Sequence, residues 1–217
     1  MLDLKNIRKT FNSRTVNEKV ALSGVNLHLD EGDFVTMIGG NGAGKSTLLN
    51  AIAGVWPIDQ GSIVLAGQDI TRLSEHRRAA LLGRVFQDPM MGTAATMQIE
   101  ENLAIAARRG KKRTLKIGIT REEREEYRER LRTLGLGLEN RMTAKVGLLS
   151  GGQRQALTLL MATLNAPKLL LLDEHTAALD PKTAAKVLEI TESIIAEKHL
   201  TAMMVTHNMN DAIRLGN

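Results

Sequence analysis

Apolar positions recur with two periods along this chain, and the switches between them mark out its elements. Leu2 and Leu4 alternate with polar neighbours, and Val25, Leu27 and Leu29 do so more clearly before the Glu31-Gly32 turn. Residues 2–30 therefore read as strands with one buried face. Asp33 to Ile38 is short, apolar and β-rich, the pattern of a buried parallel strand. From Ser46 to Ala53 the period lengthens: Leu48, Leu49 and Ile52 share a helical face, and Gly54 stands as the C-terminal stop. Gly61 to Ile70 is a further β-rich patch with a turn at Ala66-Gly67, and Leu81 to Phe86 is a strand that leads into Gln87-Asp88 and is closed by Pro89.

Beyond Gln87 the helical period takes over. Residues 98–107 and 120–134 read as helices, the second dense in Arg and Glu at spacings that permit i,i+4 pairs, with Thr120 and Glu123 as a capping box. Leu149 to Gln153 precedes another helix that runs to about Leu164. Strands then return. Lys168 to Leu172 reads as a buried parallel strand ending in Asp173-Glu174, and Thr201 to Thr206 as another with His207 at its end. Between them Asp180 and Pro181 form the N-cap and first turn of a helix whose apolar stripe is Ala184, Val187, Leu188, Ile194 and Ile195. The order predicts an α/β fold in one domain, 1–217. Its β core takes residues 1–87 and 164–217, and a helical subdomain is inserted at 88–163.

Composition adjusts this picture at three points. A chain of 217 residues has room for one large α/β domain or one domain carrying an inserted subdomain. With 43% hydrophobic residues but three Phe, one Trp and one Tyr, its core has to be aliphatic. The absence of cysteine removes disulfides and thiolate metal sites, which suits a reducing cytosol. The N-terminus lacks the charged-then-apolar order of a signal peptide, and no apolar run approaches a membrane span, so any membrane link has to come through a partner.

The net charge of +5 is concentrated: residues 88–163 hold 14 Lys and Arg against 9 Asp and Glu, and the remainder balances at 15 against 15. The densest part, Arg108 to Arg113, is either a surface for nucleic acid or anionic lipid, or a solvated loop between helices.

The chemistry centres on Gly39-Gly40-Asn41-Gly42-Ala43-Gly44-Lys45-Ser46-Thr47, which fits the phosphate-binding loop pattern and lies between a strand and a helix as that mechanism requires. The glycines let backbone N–H groups point inward, and the helix N-terminus adds its positive dipole end. Lys45 reaches the β- and γ-phosphates of a nucleoside triphosphate, and the Ser46 hydroxyl ligates Mg²⁺. Asp173 and Glu174 stand at the carboxyl end of a parallel strand, Asp173 suited to hold Mg²⁺ and Glu174 to act as general base on the attacking water. Ser150 heads a helix and so forms a second anion site, while the paired glycines after it cost helix stability for no structural return. One phosphate loop plus one distant anion site invites a head-to-tail pair of chains with two ATP at the interface.

Gly39 to Thr47, Gln87, Leu149 to Gln153, Leu169 to Glu174, Ala177 to Asp180 and His207 fall in the order and spacing of the ABC transporter ATPases. The resemblance covers essentially the whole chain, and Ser150-Gly151-Gly152-Gln153 is its most discriminating part. It implies a P-loop NTPase (RecA-like) parallel-sheet core with an antiparallel β subdomain and an inserted helical subdomain, working with ATP and Mg²⁺. Phe11, in its polar Lys-Thr-Phe-Asn-Ser loop, reads either as a platform for a base or as simple packing, and by the same resemblance it is the aromatic that stacks on adenine. Gln87 is the residue that senses Mg²⁺ and the attacking water. Ser150, Gly151, Gly152 and Gln153 contact the γ-phosphate held by a second subunit, Asp180 is a dimer-contact aspartate, and His207 contacts the γ-phosphate as a switch.

The expected partners are a second copy of the chain, an integral membrane permease and an extracytoplasmic solute-binding protein, with no nucleic acid. The expected place is the cytoplasmic face of the membrane, and import of amino acids or related small solutes is the expected direction. Asp88 to Met97, rich in Met and small residues, reads as the groove for the permease or, alternatively, as core of the helical subdomain. The rival function is a soluble ABC-type ATPase acting on nucleic acid or ribosomes. Three departures from the family pattern are visible: Gly40 where Pro or Ser is frequent, His175 where Pro is usual after Glu174, and an end at Asn217 soon after His207, where family members continue with another strand and helix.

Overall fold

The alternating N-terminal segment forms β1 (Leu2–Phe11) and β2 (Lys19–Leu29), paired antiparallel. A second hairpin, β4 (Gln60–Leu65) with β5 (Gln68–Asp69), completes a sheet of order β2-β1-β4-β5. Its turn is the expected Ala66-Gly67, both residues at positive φ (50° and 76°), the twist that two-residue hairpins favour. The computed structural model describes residues 1–111 and 118–216, so Lys112 and Arg113 of the basic stretch lie outside the described residues.

A second set of strands is parallel. β3 (Phe34–Met37) pairs with β8 (Thr201–Val205), and β8 with β7 (Leu169–Asp173). Leu169 to Leu172 and all of β8 are buried, as the unbroken apolar runs predict. β3 departs from expectation. Only Phe34 is fully buried, because the strand lies at the edge of its sheet and meets the buried β8 on one side alone. The helix α1 (Lys45–Ala53) places Leu48, Leu49 and Ile52 in one cluster with Leu4, Ile63 and Leu65 of the antiparallel sheet and Leu169, Leu171 and Val205 of the parallel strands. Gly54 ends α1 at φ 84°, donating its N–H to Ala51, as the stop signal requires.

The chain forms two compact units. One comprises Met1–Leu82, Lys168–Asp173 and His199–Asn217, the other Gly83–Pro167 and Glu174–Lys198. The second therefore contains the expected helical segment 88–163 and also the helix α6 (Pro181–Lys198). Its other helices are α3 (Ile99–Ala107), α4 (Arg121–Arg132) and α5 (Gly151–Thr163). The Thr120–Glu123 capping box forms as expected, and Arg130 pairs with Glu126 at i,i+4. Arg124 also reaches across to α3, gripping the buried Glu100 carboxylate through Nε and Nη2 at 2.8 and 2.9 Å.

Within the first unit one charged side chain is fully enclosed. Arg78, at the end of α2 (Glu75–Arg78), is 2% exposed. Its guanidinium donates to the carbonyls of Ala51 and Ile52 at 2.7 and 2.8 Å, and to those of Leu73 and Thr71, each at 2.9 Å. Ala51 and Ile52 belong to the last turn of α1, whose carbonyls have no partner inside the helix. Burial lowers the Arg78 pKa, but four acceptors satisfy the charge. Arg78→Met is expected to destabilise the chain by about 3 kcal/mol, since four carbonyls lose the buried guanidinium together and that of Ala51 keeps a second donor, the Gly54 N–H. Chemical denaturation checks this, and a loss below about 1 kcal/mol means that water replaces the guanidinium.

Candidate nucleotide site

Three parallel strands end in one row. Register pairs Met37 with Val205 and Val205 with Asp173, so β3, β8 and β7 deliver their carboxyl ends side by side. From that row β3 continues into Gly39 and the phosphate loop, β8 into Thr206 and His207, and β7 into Glu174. The Thr206 N–H donates to the Met37 carbonyl, which carries the β3–β8 alignment one residue further, and His207 follows next along the chain. This edge, beyond the carboxyl ends of parallel strands, is where ligands of open α/β sheets bind.

Glycine chemistry shapes the loop. Gly42 and Gly44 adopt φ 83° and 89°, and a Cβ on Gly44 would stand 2.5 Å from the Ala21 carbonyl of β2. A side chain at Gly44 is thus excluded by both backbone angle and space. Gly44 also N-caps α1, so the helix dipole opens onto the loop. The Lys45 ammonium curls back and donates to the carbonyls of Gly39 and Gly40, at 2.6 and 3.1 Å. The Ser46 hydroxyl donates to Asp173 Oδ1 at 3.3 Å, so two of the three expected metal residues, 127 apart in sequence, stand side by side. A hydroxyl and a carboxylate oxygen form a hard-donor pair that suits Mg²⁺, which takes the rest of its shell from phosphate and water. Among the described residues no group of three or more His, Cys, Asp and Glu gathers as a protein-only cage.

Two features of this unit escaped the sequence. Phe11 is the last residue of β1 rather than part of a loop, and its ring meets Trp56 edge-on, centroids 4.9 Å apart at 82°. Lys9 Nζ stands 5.5 Å from the same ring. Trp56 offers no motif to find it by, only its rarity as the single tryptophan. Lys19, at the start of β2, brings its Nζ within 3.8 Å of the position a Gly42 Cβ would take, so a second ammonium flanks the loop.

The second unit holds the remaining candidates. Ser150 caps α5 in a complete capping box with Gln153: its Oγ accepts from the Gln153 N–H at 3.3 Å and its own N–H donates to Gln153 Oε1 at 3.2 Å. Ser150 and Gly151 are exposed, leaving the helix end open to an anion. The paired glycines do have a structural return, which corrects the sequence reading. A Cβ on Gly152 would lie 2.1 Å from Thr183 Cγ2 of α6, and one on Gly151 3.2 Å from Leu179. The two glycines let α5 approach the segment that carries Asp180, which itself caps α6 by accepting from the Thr183 N–H at 3.1 Å. Hydrogen bonds from the Thr183 hydroxyl and then from its N–H hold the Asp180 carboxyl below the usual carboxylate range.

Gln87 is exposed, and the preceding Phe86 carbonyl is held by Gln155 Nε2 of α5 at 3.0 Å, with Gln155 wholly buried. Met90 and Met91 are 50% and 67% exposed and Met97 is half-buried, so the first two are surface rather than core. Glu174 is half-buried and takes φ 47°, a left-handed backbone that a non-glycine residue holds only under constraint. His175 beside it is buried, and desolvation pushes its pKa down to about 4, so the ring is neutral at pH 7. No helix among the described residues is long and apolar enough to cross a membrane.

Residues 22–177 match the family described as ABC transporter. The chain is 44% identical over 216 residues to the tyrosine transport ATP-binding protein of Clostridioides difficile, covering 100% of this chain and 86% of that one. It is 36% identical over 214 residues to the methionine import ATP-binding protein MetN of Halalkalibacterium halodurans, covering 97% of this chain and 60% of that one. A dimeric ATP-binding cassette in a post-hydrolysis state, bound to ADP and Pi, superposes with a TM-score of 0.83 at 32% identity, over 100% of this chain and 91% of that one.

Proposed function

From the premise that this chain belongs to the ABC transporter family, as an ATP-binding and ATP-hydrolysing subunit, we propose that its two units act as one ATPase domain, 1–217, that powers solute import. In this reading Lys45 and the loop amides of Gly39 to Thr47 hold the triphosphate, Lys45 swinging from the Gly39 and Gly40 carbonyls to the β- and γ-phosphates. Ser46 and Asp173 hold Mg²⁺, and Gln87 meets the ion and the attacking water. Glu174 takes the water's proton, and His207 contacts the γ-phosphate. Phe11 stacks on adenine, braced by Trp56. Bound there, Mg²⁺ would supply charge neutralisation for the triphosphate. The observation that carries this reading is the Ser46–Asp173 pairing at 3.3 Å, which unites a hydroxyl from the loop helix with a carboxylate from a strand end.

Ser150, Gly151, Gly152 and Gln153 serve the ATP of a second copy, with Asp180 at the same contact, so the working form is a homodimer. The solved neighbour of the same cassette type is itself dimeric. A membrane permease receives the motion, and the chain sits peripherally on the cytoplasmic face, with an extracytoplasmic solute-binding protein in the same system. Import rests on the methionine-import relative, and an amino-acid solute on that relative and the tyrosine-transport one. The exposed Met90 and Met91, just beyond Gln87, form the permease groove.

Two experiments test these assignments. Lys45→Ala is expected to weaken ATP binding at least tenfold in calorimetry, roughly the worth of one charge-assisted contact; retained affinity removes the phosphate-loop assignment. Met90→Glu with Met91→Glu is expected to leave the purified subunit folded, with ordinary basal ATPase activity, and to abolish co-purification with the permease. Unfolding of that variant, or an intact complex, sinks the groove.

A further inference from the structure

Glu174 holds a backbone angle that its side chain disfavours. At φ 47° it is among the few non-glycine residues in the left-handed region, a state costing on the order of 1 kcal/mol that persists only where the surroundings enforce it. Its own carbonyl and the side chain that follows it are both restrained. The Glu174 carbonyl accepts from the Ala177 N–H at 2.9 Å, closing a turn immediately after the strand end. The next side chain, His175, is 1% exposed, and its Nε2 lies 3.1 Å from Thr191 Oγ1, in the middle of α6.

The direction of that second bond follows from the proton count. Thr191 has one hydroxyl hydrogen, and it is used on the Val187 carbonyl at 2.8 Å, one helical turn back. With that hydrogen placed on Val187, Oγ1 accepts and His175 donates as the Nε2–H tautomer. Thr191 is itself wholly buried, so neither group has water as an alternative partner. A rigid helix thus fixes the imidazole, and the imidazole fixes the peptide that follows Glu174.

We propose that His175 is a positioning residue for ATP hydrolysis: its Nε2–H bond to Thr191 holds the Glu174 backbone in the left-handed conformation that aims the carboxylate at the attacking water. Proline, usual at this place in the family, restrains the backbone through its ring; here a buried hydrogen bond does that work. The inference rests on Glu174 as the general base. Without the tether the strained angle relaxes, and the carboxylate swings away while the phosphate loop, which it does not touch through this bond, keeps its nucleotide.

The test uses the full chain, with steady-state phosphate release, ATP affinity by calorimetry and the thermal midpoint measured on each variant. His175→Leu and Thr191→Val are each expected to lower kcat about tenfold with ATP affinity within about twofold, the scale of losing a partner that orients a reacting group. Their combination is expected to be no worse than either alone, since both cut one bond. His175→Gln, whose amide N–H can reach the same oxygen, is expected to restore kcat to within about threefold of wild type. If His175→Leu fails to fold, Thr191→Val and His175→Gln decide the matter. Turnover within about twofold of wild type in Thr191→Val, with Glu174→Gln inactive, overturns the positioning role and leaves the general base standing. A fall in thermal midpoint matched by kcat, with no recovery in His175→Gln, assigns His175 to stability alone. An active Glu174→Gln removes both readings together.

Discussion

Glu174→Gln is expected to bind ATP almost as the wild type does and to hydrolyse it at least about a hundredfold more slowly. The side chains are nearly isosteric, so the left-handed backbone at residue 174 and the turn to Ala177 are undisturbed. What disappears is the oxygen that accepts a proton from water. The change therefore falls on kcat and spares affinity, the pattern of a group that acts in the transition state. Steady-state phosphate release, with calorimetry on the same preparation, reads both quantities. Turnover within a few-fold of wild type means that another group takes the proton, and the adjacency of Glu174 to Asp173 is then only a strand-end coincidence.

A mixture of two dead proteins is expected to come back to life. Lys45→Ala removes the ammonium from the phosphate loop, and Ser150→Arg fills the exposed N-terminus of α5 with a side chain that blocks an incoming phosphate. The cap itself would be lost as well, at a cost of about 1 kcal/mol. Each variant alone builds two broken sites if the site is shared between copies. Random pairing makes about half the dimers mixed, each with one intact composite site, so activity near a quarter of wild type is the expected ceiling. The measurement is ATPase rate against mixing ratio. No recovery at any ratio denies either the sharing or the independence of the two sites, and full activity of Ser150→Arg alone denies the role of the α5 N-terminus outright.

What could be read in the sequence was what depends on neighbouring residues. The phosphate loop is nine consecutive residues whose function is largely backbone N–H geometry, so glycine spacing betrays it. The caps at Thr120, Ser150 and Asp180 are likewise local, each a side chain serving amides within three residues. Strand ends were legible because a buried apolar run such as Leu169 to Leu172 has to stop where carboxylates begin. The exposure of β3 was not legible, since an edge strand and a central one share the same apolar spelling.

Tertiary structure decided the rest, and the reason is distance along the chain. Ser46 meets Asp173, Gly44 lies against Ala21, Gly152 against Thr183, and Arg78 closes the last turn of α1. In each, what a residue is for depends on which backbone or side chain packing brings within a few ångströms. Glycine at 152 reads as helix-weakening until α6 occupies the space of its missing Cβ. Histidine at 175 reads as a departure until Thr191, sixteen residues on, is found with its only proton already committed to Val187. Local spelling set the loop, the caps and the strand ends, because those are satisfied by bonds within a few residues; close approaches between elements belong to the folded chain alone, because only packing fixes which groups lose their water together.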